Sequence, residues 1–458
     1  MFRPFHAAPV PAKAVSISPH RALLLTLTLT ASLGQAASTI YVPSVPAIAA
    51  ALDTSVARVQ FTFVGYLLAF AVSMLLIGPL SDRYGRRRMM VVGVGLSVLG
   101  SIAGSVSPTI EFLIGARILQ GIGLSAGLVV GRAIIRDLYG ENGAARIIAG
   151  LSVVMTLLQA FAPIPGGYLQ GWVGWRANFA AVAVLAALAL TLILRYLPQT
   201  HVADHSRSQT GALLARTVLA SYRTLIGTRR FLAYALTATG AHAGFHIFAA
   251  GAPAVLITSF GIPPEDYGYY ASLPPIGFLV GSLLSLRLTG WLGIDGLIVT
   301  GSAVLIPSGF VMVALALLHI VNPYAIVGPM ILICCGSGLI TPNAVAGSLG
   351  VKVGIVGAAS GLVSFIQMSG AAGATAALSL GSSGNPIALA CVIASVGLLA
   401  VTAFCSLAQN ERLPAKAGRA PRSRRLHRLG AGFLLSRIKS YRSSATGRGY
   451  CSTSQMGE

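Results

Sequence analysis

Very long runs without charge constrain this chain more than any other feature. No Asp, Glu, Lys or Arg stands between Asp295 and Lys352, and none between Lys352 and Glu411. Each run is long enough for two helices of about 20 residues and a turn. Across all 458 residues only 9% are charged and 55% are apolar, against roughly 25% charged in an ordinary soluble domain. A soluble fold of this size has no single core large enough to hide so much apolar surface. The expected fold class is therefore an all-α membrane protein.

Apolar spans separated by polar turns fall at 22–42, 59–79, 89–107, 112–134, 147–169 and 177–197. A second set falls at 231–257, 268–288, 297–319, 324–347, 356–379 and 386–408. The organisation read from this is a cytoplasmic N-terminal segment 1–21, a six-helix bundle 22–197, a cytoplasmic linker 198–230, a second six-helix bundle 231–408 and a basic tail 409–458. Arg3, Lys13 and Arg21 precede the first apolar run, and Gln35-Ala36-Ala37 has the look of a signal-cleavage site. The run continues to Tyr41-Val42-Pro43, so a retained first membrane helix is expected.

The net charge of +21 does not point to nucleic acid, because the bases sit in short connectors and in the tail rather than beside polar readout chemistry. Placing both termini inside puts Arg83, Arg86, Arg87, Arg88, Arg136, Arg146, Arg207, Arg223, Arg229, Arg230, Arg287 and Lys352 on the inner side. Arg58 and Arg176 alone remain outside. This is the positive-inside pattern, and it predicts a multi-pass protein of a bacterial inner membrane with both termini cytoplasmic. The Arg-, Ser- and Gly-rich tail cannot form a core; it is expected either to lie on anionic lipid or to act as a solvated anchor of topology. Four of the five cysteines, Cys334, Cys335, Cys391 and Cys405, lie in apolar spans with no C-x-x-C pair, as packing thiols do.

Three motifs carry chemistry. Gly78-Pro79-Leu80-Ser81-Asp82-Arg83-Tyr84-Gly85-Arg86-Arg87-Arg88 joins the second and third spans. Its glycines permit a tight turn, Asp82 can cap a helix or pair with a base, and the arginines can meet lipid phosphate or helix C-termini. Arg117-Ile118-Leu119-Gln120-Gly121 lies on the fourth span, where a charge is expensive and normally faces a polar cavity; Gln120, nearly one turn on, addresses the same face. Ala162-Pro163-Ile164-Pro165-Gly166-Gly167 ends the fifth span with residues suited to close packing and a kink.

These motifs resemble the major facilitator superfamily, with Gly78, Asp82, Arg83, Gly85, Arg86 and Arg87 as its conformational-switch loop. Arg117 matches the arginine implicated in coupling in proton-driven members. Pro163, Gly166 and Gly167 match the packing motif of the antiporters' fifth helix, although Ala149 and Leu158 fill its upstream glycine positions. Closer resemblance is to the Bcr/CflA (bicyclomycin/chloramphenicol) drug-resistance exporters. Ile40-Tyr41-Val42-Pro43-Ser44-Val45-Pro46, Arg136-Asp137-Leu138-Tyr139, Gly174-Trp175-Arg176, Tyr267-Gly268-Tyr269-Tyr270 and Gly357-Ala358-Ala359-Ser360-Gly361 carry it, over residues 22 to about 408. The resemblance implies a twelve-helix secondary transporter, monomeric and without a cofactor, that exports a small-molecule substrate through alternating access, coupled to protons and embedded in membrane lipid.

One position departs from the group: Thr39 stands where an aspartate is usual, two residues before Tyr41. No Asp or Glu lies deep in any of these spans. His242 and His246, four apart on one face of the seventh span, are the candidate proton relay, with Glu111 at the outer edge as a further candidate. Two histidines alone are too few for zinc, so no metal site is expected. Polar or aromatic residues inside spans nominate Gln35, Tyr41, Gln60, Tyr66, Gln120, Gln159, Phe245 and Gln367 as cavity liners, with His242 and His246. Arg132 is placed to serve an anionic group or the lipid interface. No phosphate-binding G-x-x-x-x-G-K-[ST] occurs, and no nucleophile–base–acid set recommends an enzyme. Export by proton antiport is the leading reading; an uncoupled facilitator or importer of a polar metabolite, and a non-transporting protein that works through its tail, are the alternatives.

Overall fold

A computed structural model describes residues 17–198, 211–351, 356–381 and 384–408. Segment 1–16, the first part of the expected linker with Arg207, Lys352 and the whole basic tail lie outside the described residues. The described chain is helical: α1 (Ile17–Thr39), α2 (Val45–Ala51), α3 (Val56–Tyr84), α4 (Arg86–Ser105), α5 (Ile110–Phe161), α6 (Pro163–Trp172) and α7 (Arg176–Tyr196) are followed by α8 (Gly211–Ile226), α9 (Arg229–Pro253), α10 (Pro264–Leu317), α11 (Pro323–Leu349), α12 (Val356–Leu380) and α13 (Pro386–Ala408).

Eleven segments among the described residues are long and apolar enough to cross a bilayer. One of them, α10, is 54 residues long and breaks at Gly293 (φ 69°, ψ 179°), so it supplies two crossings and makes twelve in all. The 52-residue α5 breaks in the same way at Gly140 (φ 64°, ψ 180°), and Gly85 (φ 94°) separates α3 from α4. These three hairpins each turn on a single residue with positive φ, which glycine alone adopts without a Cβ clash. All three lie on one face of the molecule, where the arginines collect. Three helices that start from the opposite face have side-chain N-caps instead: Ser55, Thr109 and Asn322 accept hydrogen bonds from the backbone N–H of Arg58, Phe112 and Tyr324.

Several boundaries differ from those expected. The second span was expected over 59–79, but α3 runs to Tyr84, so Gly78 and Pro79 lie inside a helix and Gly85 alone makes the turn. The first span ends at Thr39 rather than 42; a short 3-10 turn (Val42–Ser44) and α2 then cap the molecule at that end. The linker expected over 198–230 contains α8, whose Leu225 and half-buried Tyr222 pack against Phe231, Ala235, Ala359, Leu362 and Val363. A polar composition across the linker as a whole concealed the apolar stripe of this helix.

With lipid outside and helices inside, apolar attraction cannot hold the bundle together, so close backbone approach must. The α4–α5 pair shows how. A Cβ added to Gly123 would lie 2.5 Å from the Gly93 carbonyl and 2.5 Å from the Ser97 nitrogen, and one added to Gly93 would lie 2.3 Å from Ala126 Cβ. Outward-facing residues such as Leu76, Leu99, Val184, Leu286 and Leu399 remain exposed, as a lipid-facing surface requires. Buried hydroxyls turn back onto their own helices: Thr30 donates to Thr26 O at 2.6 Å and Ser101 to Ser97 O at 2.7 Å, which satisfies them where no water is present.

Replacing Gly123 with Val would push α4 and α5 apart. Overpacking of this kind costs about 1–3 kcal/mol or more, so the purified variant is expected to unfold several degrees below the parent in detergent. An unchanged thermal midpoint by size-exclusion chromatography would show that the two helices do not approach so closely.

Candidate functional site

A cavity of about 180 Å3 opens between the long helices. Gln35 from α1 and Arg132, Ser152, Met155, Thr156 and Gln159 from α5 form one wall. Ala241, His242 and Phe245 from α9, Pro275 and Phe278 from α10, and Cys334 and Ser337 from α11 form the other. The two walls come from opposite halves of the chain. The lining mixes apolar side chains with about as many polar ones, so a ligand would meet both apolar surface and convergent polar groups there.

On the face opposite the arginines the cavity is sealed. Thr39 Oγ1 donates to the Gln159 carbonyl at 3.1 Å, and Phe245, Phe248 and Tyr267 crowd a void of only about 10 Å3 above it. Farther out, α6 meets α10. A Cβ on Gly167 would lie 2.2 Å from Pro264 O, and one on Gly268 would lie 2.5 Å from Ile164 Cα. Tyr168 and Tyr269 join their hydroxyls at 2.9 Å. Gly166 packs inside its own half, where a Cβ would lie 1.8 Å from Ile40 O. Pro163 starts α6 at its first turn, where its missing N–H is harmless. On α3, Gln60 Nε2 reaches across to Ala250 O at 3.1 Å.

Arg117 lies off the cavity and is 1% exposed. Its guanidinium is sandwiched between the rings of Tyr41 and Tyr66, 4.3 and 4.2 Å from their centroids. Its Nη1 donates to Ala37 O at 3.1 Å and to Gln120 Oε1. Gln120 Nε2 in turn donates to Ser101 Oγ at 2.7 Å, Tyr41 OH meets Thr62 Oγ1 at 3.0 Å, and Tyr66 OH donates to Gly34 O at 2.6 Å. No described carboxylate pairs with Arg117. Two desolvated cation–π contacts, about 2 kcal/mol or more each, and the carbonyl dipoles offset its burial. Arg117 therefore does not snorkel toward Glu111, which pairs with Arg58 at 2.7 Å on the exposed surface.

The histidines do come together. His246 Nε2 and His242 Nε2 are 3.1 Å apart; His242 lines the cavity and His246 is buried behind it against Phe63 and Phe245. His246 and Tyr66 share a second void of about 10 Å3, also lined by Gln35, barely enough for one water. The pair thus stands between the cavity and the Arg117 sandwich. Of the predicted liners, Gln35, Gln159, His242 and Phe245 are on the cavity. Tyr41, Tyr66 and Gln120 instead hold Arg117, and Gln367 is buried against α9, its amide 3.5 Å from Ala238 O. Met155, Phe278, Cys334 and Ser337 line the cavity without having been nominated, since apolar residues and a lone serine look like ordinary packing in a sequence.

The loop motif forms an ion network on the arginine face. Arg86 binds Asp82 at 2.6 Å and Asp137 at 3.2 Å, and its Nη1 donates to Ser81 Oγ at 2.6 Å. Arg87 Nη2 caps the C-terminal end of α7 through Leu194 O at 2.8 Å. Arg83 is exposed, over the ring of Tyr84. The motif therefore ties α3, α4, α5 and α7 together within the first half.

Residues 27–375 match the Major Facilitator Superfamily. The chain belongs to the Major Facilitator Superfamily. This superfamily member is 29% identical over 394 residues to "Multidrug resistance protein D" of Escherichia coli (strain K12), covering 84% of this chain and 95% of that protein. It is 26% identical over 352 residues to the "Bicyclomycin resistance protein homolog" of Haemophilus influenzae, covering 76% and 86%. Its fold is similar to the crystal structure of a D-xylose-proton symporter, with a TM-score of 0.68 at 14% identity over 83% of this chain and 97% of that one. The superfamily member is a multi-pass membrane transporter rather than an enzyme, of the drug-resistance type that the sequence motifs resemble.

Lysine at position 117 would keep the charge but not the planar stacking between two rings. Arg117→Lys is expected to lower the thermal midpoint more than Arg117→Met, which leaves no charge buried, while both lose transport. Equal stability of parent and Arg117→Lys in detergent would show that the ring sandwich does not hold this site.

Proposed function

We propose that this transporter exports small amphipathic drugs or metabolites across the bacterial inner membrane by alternating access, in exchange for protons. The observation that carries this reading is the central cavity with one wall from each half of the chain, sealed at the face opposite the arginines by the α6–α10 contact. Rocking one half against the other would open that seal and close the arginine face. The glycines at the seal support such movement, since they let α6 and α10 meet by backbone contact alone. The names of the relatives support drug-like cargo. The concentration of arginine on one face supports a cytoplasmic location for that face and both termini.

Proton exchange needs a group that changes its charge between the two orientations. His242 and His246 are the best-placed candidates, because imidazole gains or loses a proton near physiological pH. They bridge the cavity and the Arg117 sandwich, so a proton there would be felt at both. A second reading, an uncoupled facilitator or importer of a polar metabolite, draws on one observation: Thr39 takes the usual aspartate position and is engaged with the Gln159 carbonyl.

Purified protein in liposomes decides between them. With an imposed pH gradient, the parent is expected to move a tested amphipath several-fold faster than without it. His242→Gln and His246→Gln are each expected to remove that acceleration while leaving gradient-free exchange. Transport indifferent to uncouplers would select the facilitator, and no transport of any amphipath at any gradient would defeat the export reading. For orientation, a cysteine at Arg88 in a cysteine-free background is expected to react with a membrane-impermeant maleimide only in inverted vesicles; reaction in whole cells would reverse the assignment.

A further inference from the structure

We infer that the preferred substrate of this cavity is an amphipathic organic anion, its carboxylate, sulfonate or phosphate taken by Arg132. This rests on the cavity being the transport site, and deepens that reading by giving the cargo a charge.

The cavity lining carries a single fully charged side chain, Arg132. Its Nε is buried and has no hydrogen-bond partner, and Arg132 forms no salt bridge with any described residue. The contrast with Arg117 is informative. Arg117 is likewise without a carboxylate and leaves Nε and Nη2 without hydrogen-bond partners, but two rings, a carbonyl and Gln120 surround it. Among the described residues Arg132 has no such ring or hydrogen-bond company, and it lines the cavity. Arg132 lies within the candidate membrane span Ile110–Gly140, about two turns before its end, and an arginine inside a span without a protein counter-charge calls for a functional account.

The other charges reinforce this. None of the described acidic residues lines the cavity. His242 can contribute either no charge or a positive one, never a negative one. The second buried lining atom without a partner, Gln159 Nε2, is also an N–H donor. The hydroxyls of Ser152, Thr156 and Ser337 already spend their protons on backbone carbonyls at 2.7–2.9 Å, so Arg132 is the strongest donor on the lining, beside the amides of Gln35 and Gln159 and the His242 ring. The unmet demand of the site is thus for acceptor oxygens with negative charge, the planar fork of guanidinium matching a carboxylate in two-point contact. A lipophilic cation entering the same space would meet Arg132 with no carboxylate to balance it, an arrangement that rejects a ligand rather than holds it. Met155, Phe245, Pro275 and Phe278 supply the apolar surface for the remainder of the molecule.

The test uses the full chain in nanodiscs of phosphatidylcholine and three matched probes: 2-naphthoate, its neutral amide 2-naphthamide, and the cation 2-naphthylmethylammonium. Hydrogen bonds to a charged partner are stronger than neutral ones, so naphthoate is expected to bind roughly tenfold or more tighter than the amide, and the cation weakest. Arg132→Gln is expected to collapse the ratio of naphthoate to amide affinity to near one, and Arg132→Lys to restore part of it, which guards against a variant that has merely lost its fold. Tighter binding of the cation than of naphthoate, or a ratio unmoved in Arg132→Gln, overturns the inference while leaving the transport reading intact. Binding of none of the three overturns the cavity as a substrate site and this inference with it. The same anion chemistry is offered by lipid headgroups. Naphthoate binding that holds when half the lipid is phosphatidylglycerol supports a soluble anion; binding abolished there assigns Arg132 to a lipid phosphate and overturns the substrate.

Discussion

Hydrocarbon does not solvate charge, and this one constraint orders the molecule. An ionised side chain at membrane depth is costly by any scale, and an unpaired backbone group costs several kcal/mol. The described acidic side chains accordingly sit near helix ends or on surface turns, as Asp53, Asp82, Glu111, Glu265, Asp266 and Asp295 do. Hydroxyls inside the helices bond to carbonyls one turn back, and the hairpins contract to single glycines. Against that background, Arg117 and Arg132 are exceptions that need separate physical accounts. Arg117 is enclosed by aromatic rings and dipoles within one half of the chain. Arg132 is left facing a cavity that both halves share.

The same constraint explains why the halves meet as they do. Lipid tails are as apolar as leucine, so association cannot rely on removing apolar surface from water. Instead α6 and α10 approach until backbone touches backbone at Gly167 and Gly268, and a pair of tyrosine hydroxyls closes the rim. Such a contact is tight but carries little buried polar commitment across the interface. That is the kind of surface that can separate and reform without stranding charges. The arginine face is built differently. The ion network of Arg86 with Asp82 and Asp137, and the Arg87 cap on α7, bind helices of one half to each other, which favours movement of that half as a body.

The motifs separate into what can be read locally and what cannot. The helical crossings and the family follow from runs of apolar residues and from spacings such as that around Asp82 and Arg86. The pairing of His242 with His246 was also legible, because residues four apart on a helix share a face whatever surrounds them. Cavity liners were legible only in part. Gln35, Gln159, His242 and Phe245 reach the cavity, whereas Tyr41 and Gln120, equally polar and equally deep, turn to Arg117. Polarity inside a span says that a side chain needs a partner; which of several neighbours provides it depends on helix rotation. The helix α8 was missed for a related reason: its apolar stripe is short, and it gains a reason to exist only by docking on α9 and α12.

By itself, then, the sequence determined the class of solvent, the number of crossings and the side on which the arginines gather. Those follow from transfer free energies summed along the chain and need no knowledge of neighbours. Only the tertiary structure decided that Arg117 is spoken for and Arg132 is not, that Glu111 belongs to the surface with Arg58, and that one face of the central cavity is shut by glycine contact. Each of those outcomes depends on groups from helices far apart in the chain meeting within a few ångströms, and electrostatic and packing energies at that range are set by geometry rather than by residue type.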